Sequence, residues 1–378
     1  MKITELREAI DIIDENLVPL FVKRMETTGL IATEKKIENL GVRDSKRERE
    51  VLNKVTELSD EKWTTYIKTL YQTIFSLSRT HQTLLNENEN GLAEEIKKAL
   101  ALKKEKLPSK ATVACQGTEG SYSQIATDKL FSLPRLLYFD TFENVINAVE
   151  KGMCHFGILP IENSNSGSVV QVYDLMKEHN FHIAKSIRVR ISHCLLAKEK
   201  EQLSDIKEIW SHPQAIEQCS VFLASLPSVK VHLAENTAVA ARQVAGDERS
   251  HIGAIASSTC GALYNLKTLK QGVENQGNNY TRFICVTKDM EFYGSGNKIS
   301  LMLSVPHTPG ALYDLLSKFA ALDINVWKIE SRPLPGTDFE FIFYFDLEAG
   351  VTSEMAVNLM GTLKEMYPNF QFLGCYDE

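Results

Sequence analysis

No apolar run in the 378-residue sequence approaches the roughly 20 residues that a membrane-spanning helix needs. The opening residues, MKITELREAI, are charged and amphipathic and lack a signal peptide's apolar core, so a cytoplasmic protein with no membrane partner is expected. Basic residues are in the minority, 42 Lys and Arg against 49 Asp and Glu, and the net charge of −7 argues against a nucleic-acid partner. Cysteine is sparse. The seven thiols, at Cys115, Cys154, Cys194, Cys219, Cys260, Cys285 and Cys375, form neither a C-x-x-C pair nor a His/Cys cluster. Reduced cysteines and no structural metal follow from that spacing. A Walker-type phosphate loop, a dinucleotide-binding glycine fingerprint and a nucleophile-elbow serine motif are all absent. His212 and Cys219 stand near one helix start with no orienting partner, so a nucleophilic pair is not expected there. What remains is a composition of 43% hydrophobic and 24% charged residues, ordinary for a folded globular protein.

The chain changes texture twice. Residues 1–92 show no strand-like alternation and hold a single proline, Pro19. Residues 93–109 read as a linker, with a charged run from Lys97 to Lys106 closed by Pro108. From 110 to 288, short Val/Ile-rich runs alternate with helical patterns, the rhythm of βα units on a mostly parallel sheet. A Gly/Ser/Asn stretch, Tyr293–Asn297, leads to residues 298–378, which read as strand, helix, strand, strand, helix, strand. That order is the ferredoxin-like split arrangement.

In the helical segment, a stripe of Leu6, Ile10, Ile13, Leu17 and Leu20 continues into Arg24, Thr28, Ile31 and Lys35. Two cations thus occupy an apolar stripe, where an uncompensated charge is costly and an anion is the natural partner. Arg24 and Lys35 are roughly 16 Å apart along a straight helix, which suits a small dianion lying between them. An interior proline removes a hydrogen bond, so a kink or local irregularity is expected at Pro19. A later helix carries a stripe that starts aromatic at Tyr71 and Phe75 and ends polar at Ser78 and Gln82. Between the two, VRDSKRERE gathers Arg43, Asp44, Arg47 and Glu48.

LREAIDIIDENL, Arg24, Lys35, VRDSKRERE and the Ser78/Gln82 pair resemble the all-helical chorismate mutases over about the first 90 residues. The resemblance implies rearrangement of chorismate to prephenate, a pericyclic reaction that needs no nucleophile and no proton transfer. It needs a fixed diaxial substrate conformer and donors at the ether oxygen, which gains negative charge as its bond breaks. By the resemblance, Arg7, Arg24 and Arg47 hold carboxylates, and Lys35 and Gln82 face the ether oxygen. Asp44, Glu48 and Ser78 order the substrate hydroxyl and the neighbouring cations. The resemblance also implies a homodimer with exchanged first helices, Arg7 serving the partner's site.

In the α/β segment, polar residues cluster where strands give way to helices: Gly117–Ser123, Glu162–Ser168, Ser211–Gln214, Asn236–Thr237 and Ser257–Thr259. Helix starts offer free N–H groups and a partial positive charge, and in α/β folds they line one edge. The pattern locates a site that suits anions without naming its reaction. The strings GTEGSYS, PIENSNSGSV, SHPQAIEQC, ENTAVAA and NYTRF are similar to prephenate dehydratases from about Thr112 to Val286. That family has two α/β lobes resembling type II periplasmic binding proteins, and the chain is expected to leave the first lobe near Ile187 and return near Leu266. The reaction it implies is prephenate to phenylpyruvate, with loss of CO2 and water and no metal or organic cofactor. By the same resemblance Thr281 is the acid or hydroxyl-directing group, with Glu162, Asn163 and Gln218 as its polar network. Ser211, His212, Asn236 and Thr237 are anion donors. Arg282 is left open between a carboxylate clamp and a structural ion pair.

In the last segment, Gly310-Ala311-Leu312 and Glu330-Ser331-Arg332-Pro333 resemble the phenylalanine-binding motifs of ACT domains. All three resemblances together match the bifunctional mutase–dehydratases of phenylalanine biosynthesis, with L-phenylalanine as inhibitory effector. An arogenate dehydratase fused to a mutase is the alternative within the enzyme class. An amino-acid-responsive protein that has lost catalysis is the alternative outside it, and the retained Thr281, Glu162, Arg24 and Lys35 argue against that.

Overall fold

The computed structural model describes residues 2–38, 40–42, 44–85, 91–334 and 340–378. Arg43, grouped above with the charged run, lies outside the described residues. The chain forms two compact units, one of Met1–Lys98 with Leu301–Phe372, the other of Ala99–Ser300 with Leu373–Glu378.

The first unit begins with four helices: α1 (Ile3–Ile37), α2 (Ser45–Glu57), α3 (Thr64–Leu85) and α4 (Gly91–Ala101). Helix α1 runs without interruption through Pro19. The residues around Pro19 are exposed, so water can reach the carbonyl that its missing N–H leaves free. Asp44 starts α2 by accepting the Arg47 N–H at 2.9 Å. Much of the segment expected as a linker is helix α4, with Leu92, Ala93 and Ile96 buried.

The second unit is two-lobed. Its first lobe contains β1 (Lys110–Gln116), α5 (Tyr122–Leu130), β2 (Leu133–Phe139), α6 (Phe142–Glu150), β3 (Phe156–Asn163), β4 (Gly167–Ser168), α7 (Val170–Glu178) and β5 (His182–Arg190). The second contains β6 (Cys194–Ala197), β7 (Glu208–Ser211), α8 (Pro213–Gln218), α9 (Ser220–Ala224), β8 (Lys230–Leu233), α10 (Thr237–Gly246), β9 (Ile252–Ala256), α11 (Ser258–Leu263) and β10 (Lys267–Gln271). Strand β11 (Tyr280–Thr287) returns to the first lobe. The first sheet has the order β2-β1-β3-β11-β5 with β4 on β3, and the second β10-β6-β9-β7-β8. The first sheet is mixed, because β11 runs antiparallel to both β3 and β5.

The crossings lie later in the chain than the sequence suggested. Arg190 still pairs with Tyr280 in the first sheet, and Gln271 still pairs with Cys194 in the second. Residues 191–193 and 272–279 therefore connect the lobes. The first core gathers Val113, Cys115, Phe156, Ile158, Phe283 and Cys285. Each face of the second sheet has its own core, one around Leu196 and Ala254, the other around Leu195, Ile209 and Ile255.

The remaining elements are β12 (Lys298–Ser304), α12 (Ala311–Ala321), β13 (Asn325–Pro333), β14 (Phe341–Glu348), α13 (Glu354–Met366) and β15 (Gln371–Tyr376). This is the βαββαβ succession read from the sequence, and the sheet order is β13-β14-β12-β15. Helices α12 and α13 pack on α3, so the helical and C-terminal segments share the first unit. The Tyr293–Asn297 stretch is no free tether. The Asp377 carboxylate accepts from Ser295 N at 3.0 Å, Ser295 Oγ at 2.6 Å and Gly296 N at 2.7 Å.

Candidate active sites

In the first unit, α1 and α3 lie side by side and bring the two halves of the predicted mutase motif together. The Arg24 guanidinium donates to Ser78 Oγ at 2.7 Å and lies 5.9 Å from the centre of the Phe75 ring. Burial pushes Arg24 down from its ordinary value, so its charge is costly where it stands and favours an incoming anion. Lys35 Nζ donates to the Val42 carbonyl at 2.6 Å, which aims the ammonium across the end of α1. Gln82 is buried, and its Oε1 has no partner among the described residues. An orphaned amide oxygen of that kind costs stability unless a donor meets it. Glu48 is half-buried and receives Arg79 Nη1 at 2.6 Å. Arg79 carried no signal in the sequence.

The other predicted mutase residues are more open. Asp44 caps α2, and Arg47 is exposed beside Glu50 at 3.3 Å. Arg7 is exposed near the start of α1. It lies 17 residues, or roughly 26 Å of helix, from Arg24, so one chain cannot bring both to one small ligand.

In the second unit, a polar chain runs through both connections between the lobes. Asn163 Oδ1 accepts the backbone N–H groups of Asn165 and Ser166, both at 3.0 Å. That fixes the amide, so Nδ2 is the donor to Asn279 Oδ1 at 2.7 Å and Thr281 Oγ1 at 3.0 Å. Asn279 Nδ2 then donates to Gln218 Oε1 at 3.0 Å. His193 Nε2 lies 3.2 Å from the same oxygen and must be the protonated nitrogen, because an amide oxygen only accepts. Burial lowers the His193 pKa and keeps the ring neutral, which that tautomer requires. Gln218 Nε2 reaches Ser166 Oγ at 3.3 Å. Asn163, Gln218 and Thr281 are therefore joined as the sequence suggested. His193 and Asn279 are additions, and neither had a distinguishing pattern beyond the NYTRF string.

Two placements differ from the sequence reading. Asn163 pairs with Thr281 and Glu162 with Arg282 in the β3–β11 ladder. Side chains alternate along strands, so Glu162 and Arg282 occupy the opposite face from Thr281. There Glu162 Oε1 meets Arg282 Nε at 2.6 Å, and Arg282 is 2% exposed. Arg282 is thus buried in an ion pair with a half-buried Glu162, on the face of the sheet opposite the Thr281 network. Ser211 is fully buried, and its hydroxyl donates to the Ile255 carbonyl at 2.7 Å, so it is no anion donor.

Among the remaining helix starts, Ser121 and Ser257 are buried, whereas His212 and Asn236 are half-buried. Asn236 Oδ1 caps α10 on Val239 N at 2.8 Å, with Thr237 as the first helical residue. His212 caps α8 on Gln214 N at 3.2 Å, and burial lowers its pKa. The Gly117–Ser121 loop of the first lobe approaches α11 closely enough that a Cβ on Gly120, at φ +86°, would lie 2.9 Å from Cys260 Sγ. Only glycine fits there. Cys219 is fully buried and its thiol is pushed up to about 12 by burial, so it is no nucleophile.

In the C-terminal segment, Gly310 caps α12 in the left-handed region at φ +83°, and a Cβ there would meet nothing within 4 Å. Ala311 and Leu312 open the helix. Glu330, Ser331, Arg332 and Pro333 lie on β13, an edge strand whose outer positions include exposed Trp327 and Ile329. Among the described residues no His/Cys/Asp/Glu group is arranged to hold a metal ion, and no helix is long and apolar enough to cross a membrane.

A sequence profile described as chorismate mutase type II matches residues 6–83, and one described as prephenate dehydratase matches residues 113–291. The bifunctional chorismate mutase/prephenate dehydratase of Escherichia coli K12 is 30% identical over 380 residues, covering 98% of this chain and 95% of that protein. The chain belongs to the bifunctional chorismate mutase/prephenate dehydratases. Arogenate dehydratase 2 of Petunia hybrida is 34% identical over 71% of this chain and 72% of its own. The solved prephenate dehydratase of Arthrobacter aurescens in complex with L-Phe superposes with a TM-score of 0.63 at 26% identity, over 71% of this chain and 90% of that one. The mutase profile thus falls on α1–α3 and the dehydratase profile on the two-lobed unit.

Proposed function

We propose that this chain converts chorismate to prephenate on its helical segment and prephenate to phenylpyruvate in its two-lobed unit. The observation that carries the reading is the likeness to the Escherichia coli enzyme along 98% of the chain, with the Asn163–Thr281 pair at the dehydratase motifs.

For the mutase, Arg24, with Arg47 and a partner's Arg7, holds the two carboxylates and selects the diaxial conformer. Lys35 and Gln82 meet the ether oxygen as it gains charge, and Glu48, Asp44 and Ser78 order the substrate hydroxyl and the cations. No proton moves, so positioning and electrostatics supply the rate.

For the dehydratase, the accepted bond from Asn163 leaves the Thr281 hydroxyl proton free to point at substrate. Thr281 delivers it to the departing hydroxyl, which leaves as water while the ring carboxylate leaves as CO2. The electron pair of the broken C–C bond completes the aromatic ring, and solvent returns the proton to Thr281. His212, Asn236 and Thr237 supply donors for the substrate's anionic groups.

The C-terminal βαββαβ segment is read as a ferredoxin-like ACT domain that binds L-phenylalanine through Gly310–Leu312 and Glu330–Pro333. The open space at Gly310 and the apolar outer face of β13 favour a site completed by a second copy. The exposed stripe Leu6, Ile10, Ile13, Leu17 and Leu20 on α1 and the distance from Arg7 to Arg24 support a homodimer. Arogenate remains a second substrate reading, favoured by the plant relative.

The test is phenylpyruvate formation from chorismate by the purified chain. Lys35→Ala is expected to remove the mutase step and leave the dehydratase, and Thr281→Ala the reverse. Loss of both activities in either folded variant overturns the two-site reading.

A further inference from the structure

Four charged side chains meet where α3, α2 and α12 converge, and of these only Glu48 belongs to a motif considered so far. Arg79 on α3 spans two carboxylates with its fork, Nη1 to Glu48 Oε1 at 2.6 Å and Nη2 to Asp314 Oδ1 at 2.8 Å. Lys318, only 1% exposed, donates to Asp314 Oδ2 at 2.6 Å and lies 3.4 Å from Ser76 Oγ. Tyr367, at the C-terminal end of α13, donates to the same Asp314 oxygen at 3.2 Å. Two cations and two carboxylates leave the cluster neutral, as burial demands.

We infer that Arg79 is a positioning residue of the mutase site, held by Asp314 of α12 so that it fixes the Glu48 carboxylate. The inference rests on the reading that Glu48 orders the substrate hydroxyl. Arg79 neighbours Ser78 in sequence and stands one helical turn before Gln82, so it shares the stretch of α3 that carries the predicted substrate groups. A glutamate carboxylate has several rotamers, and a guanidinium that bridges it to a second, fixed carboxylate, one nitrogen on each, restricts that freedom. Lysine has no planar fork and cannot hold both carboxylates in this geometry. Asp314 is in turn fixed by Lys318 and Tyr367, and Ser317 Oγ lies 3.2 Å from Ser76 Oγ beside them. The C-terminal segment thereby supplies part of the scaffold that orients a mutase residue, and a mutase cut off before α12 lacks the anchor.

The experiment is a double-mutant cycle on mutase kcat and KM in the full chain, with dehydratase rate and thermal midpoint as fold controls. Glu48→Gln, Arg79→Met, Arg79→Lys, Asp314→Asn and the Glu48→Gln/Arg79→Met pair are compared. The expected result is a fall of about tenfold or more in mutase kcat for Arg79→Met with KM changed by less than about threefold. Arg79→Lys and Asp314→Asn should fall between that variant and wild type, and dehydratase should be unchanged. The double variant should be no slower than Glu48→Gln alone, because Arg79 then has no carboxylate to position. Additive losses, or wild-type mutase kcat in Asp314→Asn, overturn the inference while leaving the function standing. A wild-type rate in Glu48→Gln instead overturns the role assigned to Glu48. Should Arg79→Met fail to fold, the near-isosteric Asp314→Asn decides the question.

Discussion

Asn163 Nδ2 donates to Thr281 Oγ1 at 3.0 Å, so the threonine hydroxyl is an acceptor within the protein and a donor toward whatever lies beyond it. Asn163 is itself held by two backbone N–H groups on its other atom, and the direction of the bond cannot reverse without breaking them. A near-isosteric change therefore isolates the effect. Asn163→Asp replaces the donor by an acceptor that captures the Thr281 proton. Dehydratase kcat should fall by about a hundredfold, as when a general acid is lost, with mutase rate unchanged. A steady-state assay of phenylpyruvate release from prephenate checks it.

His193 offers a pH test. Burial lowers its pKa below the ordinary 6.5, so the folded ring stays neutral where the unfolded ring gains a proton. A depressed histidine costs nothing above the unfolded value and destabilises the fold increasingly as pH drops below it. The thermal midpoint of wild type should therefore decline below about pH 6.5, and His193→Gln should lack that part of the decline. Parallel curves for the two proteins would count against a neutral buried ring.

Asp314 behaves in the opposite sense. Its burial raises the carboxyl pKa, but the bonds and charge of Lys318, the Ser76 hydroxyl and Arg79 outweigh that and hold it down to about 2, against the ordinary 3.8. Its contribution is complete above pH 4 and disappears as pH falls toward 2. At neutral pH, Asp314→Asn should cost about 2 kcal/mol in urea titrations, and the two proteins should converge in stability at acid pH.

The dimer reading is tested by mixing two inactive chains. Arg7→Ala and Arg24→Ala should each abolish mutase activity, since both cations hold the same dianion from different chains. Refolded together, they should recover about a quarter of wild-type sites, because half the dimers are mixed and each has one intact site. A mixture as inactive as its parts would place Arg7 elsewhere.

Phenylalanine binding is best probed by point changes. Ending the chain at Asn297 would also remove Asp377, which fixes Ser295 and Gly296, and would uncover α3. Gly310→Val forces a β-branched residue into the left-handed region, and Arg332→Ala alters β13. Both should weaken the calorimetric heat of L-phenylalanine binding. Undiminished binding by both would move the effector site away from these motifs.

Much of this architecture was legible in local pattern. The βαββαβ order and the polar caps at Ser121, His212 and Asn236 follow from periodicity and capping chemistry, and the nearness of Arg24 to Ser78 from the resemblance to the chorismate mutases. What escaped depends on register or on distant partners. Glu162 and Asn163 are neighbours in one string, yet strand alternation sends them to opposite faces, and only the pairing with β11 reveals which faces the threonine. Ser211 has the sequence context of an anion donor, but its hydroxyl is spent on a carbonyl 44 residues later. The Arg79–Asp314 bond spans 235 residues, and no local pattern marks either residue.

Strand β11 sits between β3 and β5, and Thr281 meets Asn163 across 118 residues of chain. The first lobe therefore cannot finish its sheet until the second lobe's residues have been traversed. Closing so long a loop is entropically slow, and pairings of such separation delay folding. The edges of β3 and β5 stay unpaired in the meantime, open to the wrong strand or to another molecule. The first lobe's sheet is therefore the last to close, and a refolding experiment should show a late phase in which the Thr281 network and the first sheet's core appear together.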